Sequence, residues 1–135
     1  MVWIDVTYQG GLRCDAVHGP SGTKLVTDAP VDNHGKGESF SPTDLVATAL
    51  GTCIATVMGI EAEREKINLA GMRISVEKEM SAEPPRRIAK LSARILMPHA
   101  LDERQRAKLE KAAHTCPVHQ TLLGNVEMPI EFVYP

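Results

Sequence analysis

Apolar and polar residues alternate along Val2–Tyr8, with Val2, Ile4, Val6 and Tyr8 in one set and Trp3, Asp5 and Thr7 in the other. A period of two predicts a half-buried strand. Gln9-Gly10-Gly11 is a turn signal, and Leu12–His18 reads as the returning strand of a hairpin. Gly19-Pro20-Ser21-Gly22 turns again, before a third strand over Thr23–Asp28. Ala29–Phe40 is a polar, glycine-bearing loop long enough to carry function.

The pattern changes at Ser41-Pro42-Thr43-Asp44, which has the form of a helix start: Ser as N-cap, Pro at N1 and an acid at N3. The predicted helix runs to about Lys66. Its middle, Leu45–Ile60, is apolar on nearly every side, which predicts a helix buried all round. One small sheet covers one side of a helix, so a second copy of the chain is the economical cover for the other. Met72–Met80 and Arg87–Met97 alternate as strands. Asp102 caps an amphipathic helix with Leu109, Ala112, Ala113 and Cys116 on one face. A short helix restarts at Cys116-Pro117 and runs to about Leu123. Val126–Tyr134 is a last strand, with Pro129 suiting a sheet edge. The order βββ-α-ββ-α-α-β predicts an α+β fold in a single domain, residues 1–135.

Composition narrows the classes. Hydrophobic residues make up 43% of the 135 and aromatic residues only 4%, so the core is aliphatic. The net charge is −2 with no basic block, which argues against nucleic acid as a partner. The N-terminal residues lack a basic start followed by a long apolar segment. Leu45–Ile60 falls short of the roughly 20 apolar residues of a membrane span. The expectation is a soluble, cytoplasmic protein with no membrane partner. Three cysteines without an export signal favour free thiols over a disulfide framework.

Two of those thiols have distinctive settings. Cys53 lies mid-helix on a stripe with Val46, Leu50, Val57 and Ile60. Apolar surroundings raise a thiol pKa, so a reactive Cys53 needs a positive group nearby, most plausibly an arginine. The plain alternative is a small core residue. Cys116 precedes Pro117 and takes the N-cap position, where amide N–H groups and the helix dipole favour a thiolate. His114 and His119 are candidate protonated neighbours, and the alternative is a solvent-facing cap. Cys116-x-x-His119 with His114 and Cys53 is also a conceivable set of metal ligands, without a second paired motif. Cys14, beside Arg13, reads as structural. Phosphate-loop, dinucleotide and Gly-x-Ser-x-Gly signatures are missing.

The run Ser41-Pro42-Thr43-Asp44-Leu45-Val46-Ala47-Thr48-Ala49-Leu50-Gly51-Thr52-Cys53 resembles the central helix of the OsmC/Ohr family. Cys116-Pro117-Val118-His119, followed by Leu122 and Gly124-Asn125-Val126, is similar to that family's second-cysteine motif. The resemblance implies antiparallel sheets packed on a long buried central helix, in an intertwined homodimer. It implies a thiol-dependent peroxidase acting on organic or inorganic hydroperoxides. In that scheme the residue at Cys53 is the nucleophile, the residue at Cys116 resolves its sulfenic acid as a disulfide, and a dithiol reductant restores both. No metal or organic cofactor is implied. Peroxide-reducing members usually carry Glu after the helix-start proline, where it holds an arginine against the thiol; here that position is Thr43. Arg13 is the candidate arginine, and Asp44 or Glu38 the candidate carboxylate. The second reading is a non-catalytic dimeric module that binds a small apolar ligand or senses redox state.

Overall fold

Two three-stranded sheets and one long helix make up most of the chain, and the computed structural model describes all residues 1–135. The contacts within the chain fall into two compact units, Met1–Val46 and Ala47–Pro135.

The first unit contains β1 (Ile4–Gly10), β2 (Arg13–His18) and β3 (Lys24–Asp28), antiparallel in the order β1-β2-β3. The β1–β2 turn has positive φ at Gly10, Gly11 and Leu12. Two glycines meet that demand without cost, and Leu12 is carried with them. β2 is central, and Arg13, its first residue, pairs in register with Asp28, the last residue of β3. The loop after β3 contains a single 3-10 turn, Val31–Asn33. The alternation of β1 predicted a buried face, but Val2, Ile4, Val6 and Tyr8 are all at least half exposed. In this unit the wholly buried side chains are Asp28 and Ser41, both polar.

Helix α1 (Pro42–Arg64) begins where the sequence predicted and stops two residues earlier. Ser41 Oγ accepts from Asp44 N–H at 3.1 Å, and Asp44 Oδ2 accepts from Ser41 N–H at 2.9 Å, a reciprocal cap with Asp at N3. Burial by the chain itself reaches one side of the helix. A single stripe is buried in the chain, comprising Ala47, Leu50, Ile54, Met58 and Ala62, while Thr48, Thr52, Thr56 and Ile60 are exposed. The exposed hydroxyls are satisfied internally: Thr52 Oγ1 donates to Thr48 O and Thr56 Oγ1 to Thr52 O, each at 2.8 Å. Over its 23 residues the helix is long and apolar enough to cross a membrane by length and composition, longer than the apolar middle alone indicated. Its buried stripe is that of a core helix.

In the second unit β4 (Arg73–Met80) and β5 (Ile88–Leu96) are antiparallel. β6 (Ile130–Val133) adds to β5 in parallel, at the sheet edge. The parallel pair departs from the antiparallel expectation because α2 (Glu103–Ala113) and α3 (Pro117–Leu122) form a crossover between β5 and β6. Leu50, Ile54 and Met58 of α1, Leu91 and Ile95 of β5 and Leu109 of α2 are fully buried. Gly51 brings α1 close to β4: a Cβ there would lie 3.1 Å from Val76 Cγ2.

Candidate active site

Cys53 stands at the middle of α1, one turn after Ala49 and one turn before Val57, and is half-buried. Cys116 is the N-cap of α3, with Pro117 at N1, and has no exposed surface. The two thiols lie close enough for Cys53 to influence Cys116, and both are free. A residue in the interior of one helix and the cap of another thus meet across the 63 positions that separate them in sequence (116 − 53).

The cap geometry is as the sequence indicated, but its electrostatic consequence is not. Cys116 Sγ accepts from His119 N–H at 3.4 Å. That bond and the Val118 N–H pull the thiol pKa down, but burial pushes it up more strongly, and the Cys53 thiol adds to the rise. Cys116 is therefore a protonated, sealed thiol. The expectation of protonated imidazoles is also corrected for His119. It is buried, and burial first and His114 second push its pKa down, so it is neutral at neutral pH. Its Nδ1 meets no partner, and its ring stands edge-on to His114 with centroids 5.7 Å apart. No three of the chain's His, Cys, Asp and Glu side chains converge as a metal ion requires. Cys14 lies in β2 opposite Tyr8 and Thr27.

The first unit holds a separate charged cluster. Arg13 Nη2 donates to Glu38 Oε2 at 3.0 Å and to Asp28 Oδ2 at 3.3 Å. Asp28 Oδ2 also accepts from Glu38 N–H at 3.0 Å. Asp28 is 1% exposed, and its carboxyl is held below the usual range, by the Glu38 N–H first and by the Arg13 guanidinium after it. The structure thus brings Arg13 and Glu38 together. Asp44 is engaged at the N-cap of α1 through Ser41, beside Thr43, whose hydroxyl lies 3.2 Å from Ser41 Oγ. Asp28 was missed from the sequence. The signal that would have found it is the hairpin register, which sets an acid at the end of the third strand opposite the arginine that opens the second.

The profile of the OsmC-like protein family matches residues 35–131, a span that holds both cysteines and all of α1. The chain belongs to the OsmC family. A crystal structure from Psychrobacter arcticus 273-4, of a protein named for a proposed osmotic stress induced and detoxification response, is 41% identical to this OsmC chain. Its TM-score is 0.93, over 98% of this chain and 96% of that one. The organic hydroperoxide resistance protein OsmC of Legionella pneumophila is 18% identical, with a TM-score of 0.79 over 98% of this chain and 96% of that one. The organic hydroperoxide resistance protein OhrB of Bacillus subtilis is 17% identical, with a TM-score of 0.73 over 98% of each chain. At these last two identities the likeness is one of fold. A comparison with curated proteins finds no match.

Proposed function

We propose that this OsmC-family protein is a thiol-dependent peroxidase that reduces organic hydroperoxides, and inorganic peroxide as a secondary substrate. The observation that carries the reading is the pairing of two free thiols of unequal exposure, Cys53 half-buried and Cys116 sealed. A peroxide reaches the first and not the second, which assigns the order of attack.

The Cys53 thiolate attacks the outer oxygen of ROOH. The O–O bond breaks, the alkoxide takes a proton and leaves as ROH, and Cys53 becomes a sulfenic acid. Cys116 then forms the S–S bond to Cys53. The sulfenic hydroxyl leaves with the Cys116 proton as water. An external dithiol supplies two electrons and two protons and returns both thiols. The activating arginine of this reading is Arg13, with its ion-pair partner Glu38 as the carboxylate in place of the glutamate that Thr43 replaces. Asp44, engaged in the helix cap, is the weaker candidate for that carboxylate.

The working unit of this proposal is a homodimer in the cytoplasm. Its support is the exposed apolar surface of β1 and β3, where Ile4, Val6, Tyr8, Leu25 and Val26 are 40% exposed or more, together with the uncovered face of α1.

Consumption of cumene hydroperoxide with dithiothreitol tests the reading. Multiple turnovers in the wild type, abolished in Cys53→Ser, are expected. A single stoichiometric oxidation without turnover contradicts it and makes the protein a redox sensor or binding module.

A further inference from the structure

The resolving step asks a sealed thiol to shed a proton. Cys116 has no exposed surface, and burial together with the nearby Cys53 thiol keeps it protonated. A thiol attacks as its thiolate. Solvent takes the proton from an exposed thiol; solvent does not reach this sulfur, so the acceptor is a group of the protein.

His119 is the group in place. It stands three residues after the cap, and its N–H donates to Cys116 Sγ at 3.4 Å. A side chain at that position can fold back toward the cap residue. His119 is 8% exposed, and its Nδ1, the ring nitrogen nearer the main chain, is buried without a partner. A buried polar atom left unpaired costs free energy, and a catalytic role is one of the few reasons for keeping it. A metal ion is not the reason, because His, Cys, Asp and Glu side chains do not converge in threes. The ring is also a base at neutral pH. Burial first and His114 second disfavour its cation, and His114, edge-on with centroids 5.7 Å apart, is the one titratable group that acts on it.

We propose that His119 is the base of the resolving step: its Nδ1 takes the proton of the Cys116 thiol as Sγ attacks the Cys53 sulfenic acid, and returns it to the departing hydroxide. The S–S bond forms, the S–O bond of the sulfenic acid breaks, and the oxygen leaves as water. The imidazole ends neutral, as it began. The proposal rests on the peroxidase reading for the sulfenic acid, but the same base serves any attack of Cys116 on Cys53, a mixed disulfide included.

The shape of a pH profile separates a base from a packing residue. With His119 as acceptor, the attack is level with pH once the imidazole is neutral. Without it, the attack follows the ionisation of a thiol whose pKa is raised, and climbs about tenfold per pH unit. One equivalent of Ellman's reagent is added to the Cys14→Ser protein. The more accessible Cys53 reacts first and releases one thionitrobenzoate; attack by Cys116 releases the second, whose rate is followed from about pH 6 to about pH 9. With His119 present the second phase is expected to level off by about pH 7. In His119→Gln it is expected to be slower by roughly a hundredfold at pH 7 and to climb with pH. A level profile at the original rate in His119→Gln overturns the proposal, as does a climb through the alkaline range with His119 present. Should His119→Gln fail to fold, that second profile decides alone. Turnover of cumene hydroperoxide by the protein with all cysteines intact is measured alongside. Turnover with a climbing second phase sinks the role of His119 alone. A level second phase without turnover keeps that role and sinks the peroxidase reading alone.

Discussion

At the scale of single residues, the proposed chemistry rests on unequal environments for equal groups. Cys53 and Cys116 carry the same thiol and lie near one another, yet one is half-buried and the other sealed. Because burial raises the Cys116 pKa, this thiol stays protonated at neutral pH and reacts slowly from outside. Limited alkylation with iodoacetamide at pH 7 should label Cys53 before Cys116, as peptide mass mapping would show; preferential labelling of Cys116 would reverse the assigned roles. In Cys116→Ser the sulfenic acid at Cys53 has no resolving thiol and should accumulate in a form trapped by dimedone. Asp28 gives a pH prediction with a definite sign. Its carboxyl is held below the ordinary value, so it binds fewer protons folded than unfolded. Its contribution to stability is present above the unfolded Asp pKa of about 3.9 and is lost as pH falls through the folded value. Asp28→Asn should therefore flatten the acid limb of the stability curve while lowering the plateau. Arg13→Ala, which leaves the same carboxylate with only its backbone N–H donors, should lower the urea midpoint at pH 7.

The elements were legible in the sequence to the extent that local physics determines them. Ser41-Pro42-Thr43-Asp44 announces a helix start because the cap is made by residues three apart, and it was found where expected. Cys116-Pro117 likewise set α3, since proline at N1 needs no partner from elsewhere. What failed were inferences about surroundings. The charge state of Cys116 and His119 depends on burial by distant segments, which no local pattern records. The side on which α1 is covered could not be read either, because all its faces are apolar and the threonines satisfy their own hydroxyls. The contact between α1 and β4 at Gly51 gives a test at this scale. Gly51→Leu forces a side chain against Val76 and should cost about 1–3 kcal/mol through overpacking, read as a lower urea midpoint at unchanged slope.

For the whole molecule, the first unit contains no aliphatic side chain that is fully buried. A three-stranded sheet with Ile4, Val6, Tyr8, Leu25 and Val26 substantially exposed needs an apolar cover. The homodimer proposal supplies it, and sedimentation equilibrium at micromolar concentration should give twice the 14.7 kDa chain mass. Val6→Glu, placing a charge on that surface, should shift the distribution toward monomer. A wild type that sediments as a monomer would leave the apolar sheet unexplained and remove the dimer from the account.

The central claim is that Cys53 and Cys116 act as one redox pair. One equivalent of cumene hydroperoxide added to the reduced protein, followed by peptide mapping without reductant, tests it most directly. The account predicts a Cys53–Cys116 disulfide within each chain, the loss of two hydrogens, and Cys14 still free. Reduced thiols at Cys53 and Cys116 after exposure, or a bridge that involves Cys14 instead, would contradict it.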